Sequence, residues 1–466
     1  MGRYSVSLLV ISAVVLWVIF AYPSGAEQLG QEPMIRVYMA KNPEQFTLGA
    51  TGDYNINEYA SGKTLYSGKD QLSCTFSSLE SRNFSIYIDT FYSREDAESF
   101  ADILQNRFDK DIPIKIKSEG ELFRLEMGEF DNEQDALVFL EKYFSDIPTS
   151  ELIGSVGLEI RLGDKLIFRP PTGMELINLV SVAPSDDGLV KYNDKRYRGA
   201  IVMCMCGEDF YVVGKLKMED YVKGVTPAEM PAKWHLEAVK AQAVCARTYA
   251  MRYDYDSNPP AYDICKTQQC QVYIGYEHEH ENSNLAVDQT RGEVAVYDGE
   301  LIGTYFHSTS GGMTENSENV WVEPLPYLKG VESPGEEISS GHTWMHVYSN
   351  EDFSRRIYKA GKKDIGQVYA WSDVKRGVSP RVTSCQFSGT DGKVQLSGSK
   401  VQYYLDLEDR WIDVLFIPGK VVVVGHGYGH GVGLSQYGAR ARAIEGMNYK
   451  QILKHYYTGI DVVKWY

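Results

Sequence analysis

Leu216-Lys217-Met218-Glu219-Asp220-Tyr221-Val222-Lys223-Gly224-Val225-Thr226-Pro227-Ala228-Glu229-Met230-Pro231 leads directly into an alanine-rich stretch. That stretch predicts a helix from about Lys233 to Arg252. Ala238, Ala241, Ala243, Ala246 and Ala250 fall on more than one of its faces, which lets neighbouring elements approach closely. Pro227 and Pro231 bracket Glu229, and each removes a helix donor. They predict that Glu229 sits on a constrained connection and not inside a continuous helix. Its flanks, Ala228 and Met230, are apolar; such surroundings raise a carboxyl pKa and keep it protonated, as a general acid requires. The same framing fits an ordinary capping or exposed glutamate, so by itself it only nominates a candidate.

Two later segments are dense in residues that build sites. Tyr305-Phe306-His307-Ser308-Thr309-Ser310-Gly311-Gly312-Met313-Thr314-Glu315 sets hydroxyls before paired glycines, with Glu318 and Trp321 close behind. Gly425-His426-Gly427-Tyr428-Gly429-His430-Gly431-Val432-Gly433-Leu434-Ser435-Gln436-Tyr437-Gly438 alternates glycine after the apolar run Val421 to Val424. Its short spacing and the absence of a β-α-β context argue against a dinucleotide loop. A purely structural glycine-rich turn is the plain alternative for either segment.

Upstream, one stretch repeats itself. Phe84-Ser85-Ile86-Tyr87-Ile88 alternates as a half-buried strand does, then come Phe91 and a helix opening at Ser93-Arg94-Glu95-Asp96-Ala97. Phe123 to Met127, Phe130 and Asn132-Glu133-Gln134-Asp135-Ala136 repeat the pattern at a fixed offset of 39 residues (123 − 84, 130 − 91, 136 − 97). Ser93 and Asn132 stand at cap-like positions before acidic first turns. With Ile112-Pro113-Ile114-Lys115-Ile116 between the halves, the pattern predicts a small β-α-β-β-α-β, ferredoxin-like unit.

At the N-terminus no charge appears between Arg3 and Glu27, and Val6 to Tyr22 is almost wholly apolar. Residues 1–26 are therefore read as a signal peptide or single-pass anchor, with Ser24-Gly25-Ala26 offering small residues for cleavage. Either reading carries the rest of the chain out of the cytoplasm. The seven cysteines leave at least one unpaired. Cys204 and Cys206 share one face of a strand, where a mutual disulfide would be strained, whereas Cys265 and Cys270 suit a bridge or half of a metal site. The length of 466 residues suggests two or three domains, and the net charge of −16 disfavours nucleic acid as a partner. The 33 tyrosines suit sugar stacking as well as ordinary core packing.

Taken together, four motifs in one order resemble the stage II sporulation protein D and amidase-enhancer family. They are E-D-Y-V-K-G-V-x-x-x-E-M-P, then Trp234 to Ala250, then His307 to Trp321, then Gly429 to Ala439. The resemblance spans about 185–466, and Ile35-Arg36-Val37 matches the family's first strand. Gly389-Thr390-Asp391-Gly392 and Leu396-Ser397-Gly398 look like its hairpin, although Leu405-Asp406-Leu407 departs from the usual ending. The repeat, over 82–147, resembles a SPOR domain, a class of modules that bind glycan strands stripped of their peptides; a spacer is the alternative. Residues 33–80 then form the start of the catalytic domain or a linker, and the fold class is α+β.

The resemblance implies a peptidoglycan lytic transglycosylase, with Glu229 as its catalytic residue. It equally includes non-catalytic activators of an N-acetylmuramoyl-L-alanine amidase. A lytic transglycosylase manages with one carboxyl group, where an ordinary glycosidase needs two. Ser308, Thr309 and Ser310 are the expected hydrogen-bond partners of the glycan, with Glu315, His430, Gln436 and Tyr437 as further cleft residues. Internal packing is the competing role for Gln436 and Tyr437. Some family members carry zinc on a Cys pair like Cys265 and Cys270 with a His before the second Cys. Here that residue is Gln269, His278 and His280 are the only nearby substitutes, and an exported compartment favours a disulfide or free thiols over zinc. No cofactor is expected. The expected partners are glycan strands, an amidase or other engulfment proteins, and the membrane through the N-terminal segment.

Overall fold

The computed structural model describes residues 30–466 apart from 44, 60, 70–71, 80–83, 108–111, 120–121, 131–132, 145–150, 155–156, 163–164, 169–176, 186–187, 207–208, 253–260 and 322. The expected anchor at 1–26 lies outside the described residues, and so does the cap residue Asn132. The fold is mixed α+β.

Two six-stranded sheets open the molecule. The first runs, in spatial order, Met34–Lys41, Asp209–Lys217, Ala200–Cys206, Ile177–Pro184, Tyr54–Glu58 and Thr64–Gly68. Met34 to Lys41 therefore pairs with a strand some 170 residues on, with Val37 opposite Gly214. Its alternating burial is what a strand with one face on a core shows, and Ile35, Val37 and Met39 are the inward residues. The second sheet runs Lys165–Phe168, Gly157–Leu162, Leu72–Leu79, Gln45–Ala50, Val190–Tyr192 and Lys195–Tyr197. Phe46, Leu48 and Val190 of this sheet share one core with Ile35, Ile56, Met203 and Val212 of the first. Cys204 and Cys206 lie in the apolar strand as free thiols.

The repeat forms one unit between two paired strands. Gly157–Leu162 lies antiparallel to Leu72–Leu79, with Gly157 opposite Leu79. From the end of that pair the chain makes strand Phe84–Phe91, helix Arg94–Arg107, strands Ile114–Glu119 and Leu122–Phe130, helix Glu133–Phe144 and strand Glu151–Gly154. The four strands are antiparallel, and the first is paired with both the third and the last. The two halves pack alike: Phe91 meets Phe100 at 5.5 Å, and Phe130 meets Phe139 at 5.2 Å between ring centroids. Ser93 caps its helix by accepting the Asp96 backbone N–H at 3.1 Å.

The alanine-rich helix, Leu236–Arg252, is the centre of the second half. Ala238, Ala241, Ala243, Ala246 and Ala250 are all fully buried. Ala243, Ala246 and Ala250 face the two-sheet core, whereas Ala238 and Ala241 face a second core built with Leu434, Ile452 and Tyr456. A third core lies under the strands Thr343–Ser349, Trp411–Ile417 and Lys420–His426, with Phe353 and Phe387 at its middle.

Helix Met218–Glu229 packs against the alanine-rich helix, and a buried ion pair locks the two together. Arg247 donates to Glu219 through Nε at 2.9 Å and Nη2 at 2.7 Å, with both side chains almost free of solvent. The Gly292 N–H and the Tyr466 hydroxyl also donate to that carboxylate, and Arg247 Nη1 donates to the Glu293 carbonyl. Burial alone would raise the Glu219 pKa, but the Arg247 charge and these donors outweigh it and hold the carboxyl below its ordinary value.

The prolines act differently from the sequence expectation. Helix Met218–Glu229 runs through Pro227, and Glu229 is its last residue. A proline in the final turn forfeits only one helix bond, and the Met230 N–H closes the helix on the Thr226 carbonyl at 3.0 Å. Pro231 then stops it. Removing the buried pair's negative member is expected to be costly: Glu219→Gln should lose about 3–5 kcal/mol in urea denaturation, because Arg247 is left buried without its counter-charge. In the wild-type protein the contribution of Glu219 is complete above the ordinary glutamate pKa and is lost as pH falls through the depressed folded value. A Glu219→Gln protein as stable as wild type at neutral pH would refute this account.

Candidate active site

Glu229 emerges half-buried at the C-terminal end of its helix. Its Oε1 accepts the Val272 backbone N–H at 2.8 Å, and among the described residues no cation pairs with it. Burial raises its pKa above the ordinary carboxylate value, and the Val272 bond pulls the other way. A carboxyl in that state holds its proton readily and remains within reach of solvent, the pair of properties a general acid needs.

Val272 belongs to the segment that follows Cys265 and Cys270, which are joined as a disulfide. His280 accepts the Asn282 N–H at 3.1 Å and caps helix Glu281–Gln289, while His278 is exposed. Among the described residues no three His, Cys, Asp or Glu side chains stand together as a metal site. Gln271, just before Val272, is buried and accepts the Tyr221 hydroxyl at 3.0 Å.

Strand Phe306–His307 lies parallel to Leu434–Ser435, which sets the two glycine-rich segments side by side. Gln436 then reaches across, and its Nε2 donates to the Glu229 backbone carbonyl at 2.9 Å and lies 3.4 Å from Gln242 Oε1 on the alanine-rich helix. Next to it, the Tyr437 N–H donates to the Ser308 carbonyl at 3.0 Å. The Tyr437 ring meets Trp234 edge-on at 4.7 Å, and the Arg440 guanidinium lies 5.1 Å from the Trp234 ring. Thus Glu229, Trp234, Gln242, Ser308, Gln436 and Tyr437, drawn from all four motifs, are tied into one cluster.

The other expected glycan partners lie elsewhere. Thr309 and Ser310 are fully buried around the carboxylate of Glu336. Thr309 Oγ1 and the Ser310 N–H donate to its Oε2 at 2.6 Å each, the Gly311 N–H at 3.0 Å, and Ser310 Oγ donates to Oε1 at 2.8 Å, with Ser333 Oγ a further donor. Their hydroxyls are occupied inside the protein and are not presented to a ligand. Glu315 is equally buried, accepting from Asn316 N–H, Asn319 Nδ2, Val378 N–H and both the N–H and Oγ of Ser379. It ties the loop to the segment around Val378 and lines no opening.

His430 is half-buried in an aromatic cluster, 5.2 Å from Trp321 and 5.4 Å from His307, with Tyr305 4.6 Å from Trp321. Its Nδ1 accepts the Val432 N–H at 3.0 Å. Burial lowers its pKa to about 4, against a bond to the Phe306 backbone that raises it. It is therefore neutral at ordinary pH. Gly427, Gly429, Gly431 and Gly433 all have positive φ, of 85°, 120°, 75° and 71°. A Cβ at Gly431 would fall 2.3 Å from the Arg381 guanidinium, and one at Gly433 2.2 Å from the Tyr305 carbonyl oxygen, so the alternation is a packing requirement.

Sequence reasoning missed Glu336, Gln242, Gln271 and Val272. Gln242 and Gln271 were visible only as polar residues in otherwise apolar or disulfide-flanked stretches, and a backbone donor such as Val272 leaves no side-chain signal at all.

Comparison with known proteins places these features in context. The family described as Stage II sporulation protein matches residues 207–297, the span that includes Glu219, Glu229 and the disulfide loop. An uncharacterized protein of Brachyspira hyodysenteriae is 35% identical over 289 residues, covering 61% of this chain and 76% of its own length. The stage II sporulation protein D of Bacillus amyloliquefaciens is 32% identical over 267 residues, covering 54% of this chain and 75% of its own length. An amidase enhancer of Bacillus subtilis is 30% identical over 294 residues, 52% of this chain and 40% of that protein.

The burial of Glu315 separates two roles by experiment. Glu315→Gln should lower stability by about 1–3 kcal/mol, since two of its acceptor sites become a donor amide facing donors. The folded fraction should keep its activity. Full stability with lost activity would instead move Glu315 into the chemistry.

Proposed function

The chain belongs to the stage II sporulation protein D family, and on that premise we propose that it is a peptidoglycan lytic transglycosylase with Glu229 as acid and then base. The observation that carries this reading is the setting of Glu229: half-buried, so that burial pushes its pKa up, with one backbone donor and no cation on its carboxylate among the described residues. The protonated carboxyl donates to the glycosidic oxygen as the bond from C1 breaks. The 6-hydroxyl of the same N-acetylmuramoyl residue attacks C1 and gives its proton to the Glu229 carboxylate. One glycan end becomes a 1,6-anhydro ring, the other a free hydroxyl, and no water is consumed. One carboxyl group suffices, and among the described residues no second carboxylate is bonded to Glu229.

Around the acid, Ser308, Gln436, Tyr437 and Trp234 offer polar groups and an aromatic wall for a sugar. Gln436 also holds the last carbonyl of the glutamate helix, so it orients the acid as well as lining its approach. The four-stranded insert is assigned as the SPOR-like module that holds peptide-free glycan near the cleft. The apolar residues before Glu27 tether the protein to the membrane or export it. The work belongs to sporulation or wall remodelling outside the cytoplasm. A second reading follows from the amidase-enhancer relative: this chain activates an amidase without cutting glycan.

The test is mass spectrometry of peptide-free glycan after digestion. Wild type should yield 1,6-anhydro-muramoyl ends, and Glu229→Gln, which keeps the shape but not the transferable proton, should lose about 10²–10⁴-fold in kcat while staying folded. Because the reactive form is protonated, kcat/KM should hold steady below the raised Glu229 pKa and fall as pH rises through it. Reducing ends in place of anhydro ends would indicate hydrolysis. A wild-type protein that cuts nothing yet accelerates an added amidase would establish the second reading.

A further inference from the structure

We infer that the Cys265–Cys270 disulfide is a positioning device for Glu229, acting through the backbone N–H of Val272. The inference rests on the catalytic reading of Glu229 given above. Val272 is the one hydrogen-bond donor to that carboxylate among the described residues, and it lies two residues after Cys270. What decides where its N–H points is the path of the chain from 261 to 275.

That path has an anchor at each end. Upstream, the Tyr38 N–H donates to the Ile264 carbonyl at 2.9 Å, and Arg36 Nε donates to Asp263 Oδ1 at 3.0 Å. Downstream, Tyr273 is buried and stacks on Tyr221 at 5.4 Å. Between them the chain turns outward, with Thr267, Gln268 and Gln269 exposed. Across the turn the Cys270 N–H donates to the Thr267 carbonyl at 3.0 Å, the Tyr273 N–H to the Lys266 carbonyl at 3.3 Å, the Gln269 N–H to Thr267 Oγ1 at 3.4 Å and Lys266 Nζ to the Met39 carbonyl at 2.7 Å, while the Tyr221 hydroxyl holds Gln271 at 3.0 Å. The disulfide, with Cα atoms 5.7 Å apart, closes this turn into a ring and, together with the Tyr273–Lys266 bond, sets where the chain leaves it. Gln271 and Val272 follow at once.

A hydrogen bond weakens steeply once its angle opens, so a small swing of residues 271–272 releases Glu229 from its donor. The carboxylate is then free to rotate at the end of its helix, and a misplaced catalytic group costs rate more than binding. The disulfide touches no reacting atom; it acts through Val272. Opening it takes two electrons and two protons from a dithiol, giving two thiols here and a disulfide in the reagent.

Hydrogen–deuterium exchange and steady-state kinetics on the purified full-length protein test this, comparing the oxidised form, the form reduced with dithiothreitol, and Cys265→Ser/Cys270→Ser. Thermal melting checks that each remains folded. Exchange at Val272 should rise by at least about 10-fold in both altered forms, with kcat falling about 10-fold, KM within about 2-fold, and reoxidation of the reduced protein restoring kcat. Unchanged exchange at Val272 would overturn the inference, as would a rise in exchange spread evenly over the whole domain, which marks a merely structural staple. Faster Val272 exchange with unchanged kcat would overturn it too. If the oxidised protein proves to have no glycan-cleaving activity, the catalytic reading fails on its own, while exchange at Val272 still decides whether the disulfide holds that donor in place.

Discussion

A guanidinium with no access to water must be answered inside the protein, and Arg247 is answered by Glu219. That single pairing joins the alanine-rich helix to the start of the glutamate helix, and draws in Gly292 and the terminal Tyr466. A helix is stiff. Fixing Glu219 at one end therefore fixes Glu229 at the other, ten residues and about 15 Å away. The small alanines permit this arrangement, because larger side chains would hold the neighbouring helices and strands too far from Arg247 for its bonds to form.

The buried carboxylates divide by how fully they are engaged. Glu336 and Glu315 each receive five donors, which fills the roughly four lone-pair positions of a carboxylate. Glu219 carries a matched cation. Such groups are held in place by their partners, and they organise loops. Glu229 is unlike them, since burial favours its neutral form and, among the described residues, a single donor opposes that. Of these four carboxyl groups, Glu229 is the one whose bonding capacity is not used up by the fold.

Much of the architecture was legible because it repeats or alternates. The 39-residue offset placed Phe91 with Phe100 and Phe130 with Phe139 in matching positions, since period-2 and helical patterns report burial directly. The alanines on several faces of one helix likewise marked an element approached from all around. Pro227 was misread because a proline rule for helix interiors was applied to a final turn, where little remains to break. Thr309 and Ser310 carried the composition of a binding loop but face inward, because Glu336 lies far along the chain in a short 3-10 turn that no motif marks. Side-chain chemistry can be read along a sequence, whereas the partner that consumes it cannot.

The insert leaves the main sheet between two strands that are hydrogen-bonded neighbours, Leu72–Leu79 and Gly157–Leu162. Paired strands lie about 5 Å apart, so the insert enters and leaves through what is in effect one doorway. A module hung this way is interchangeable: it can be exchanged for another or trimmed to a tight hairpin turn without unzipping the sheet beneath. Evolution can therefore alter or replace the insert while the two-sheet core and helix Met218–Glu229 stay as they are.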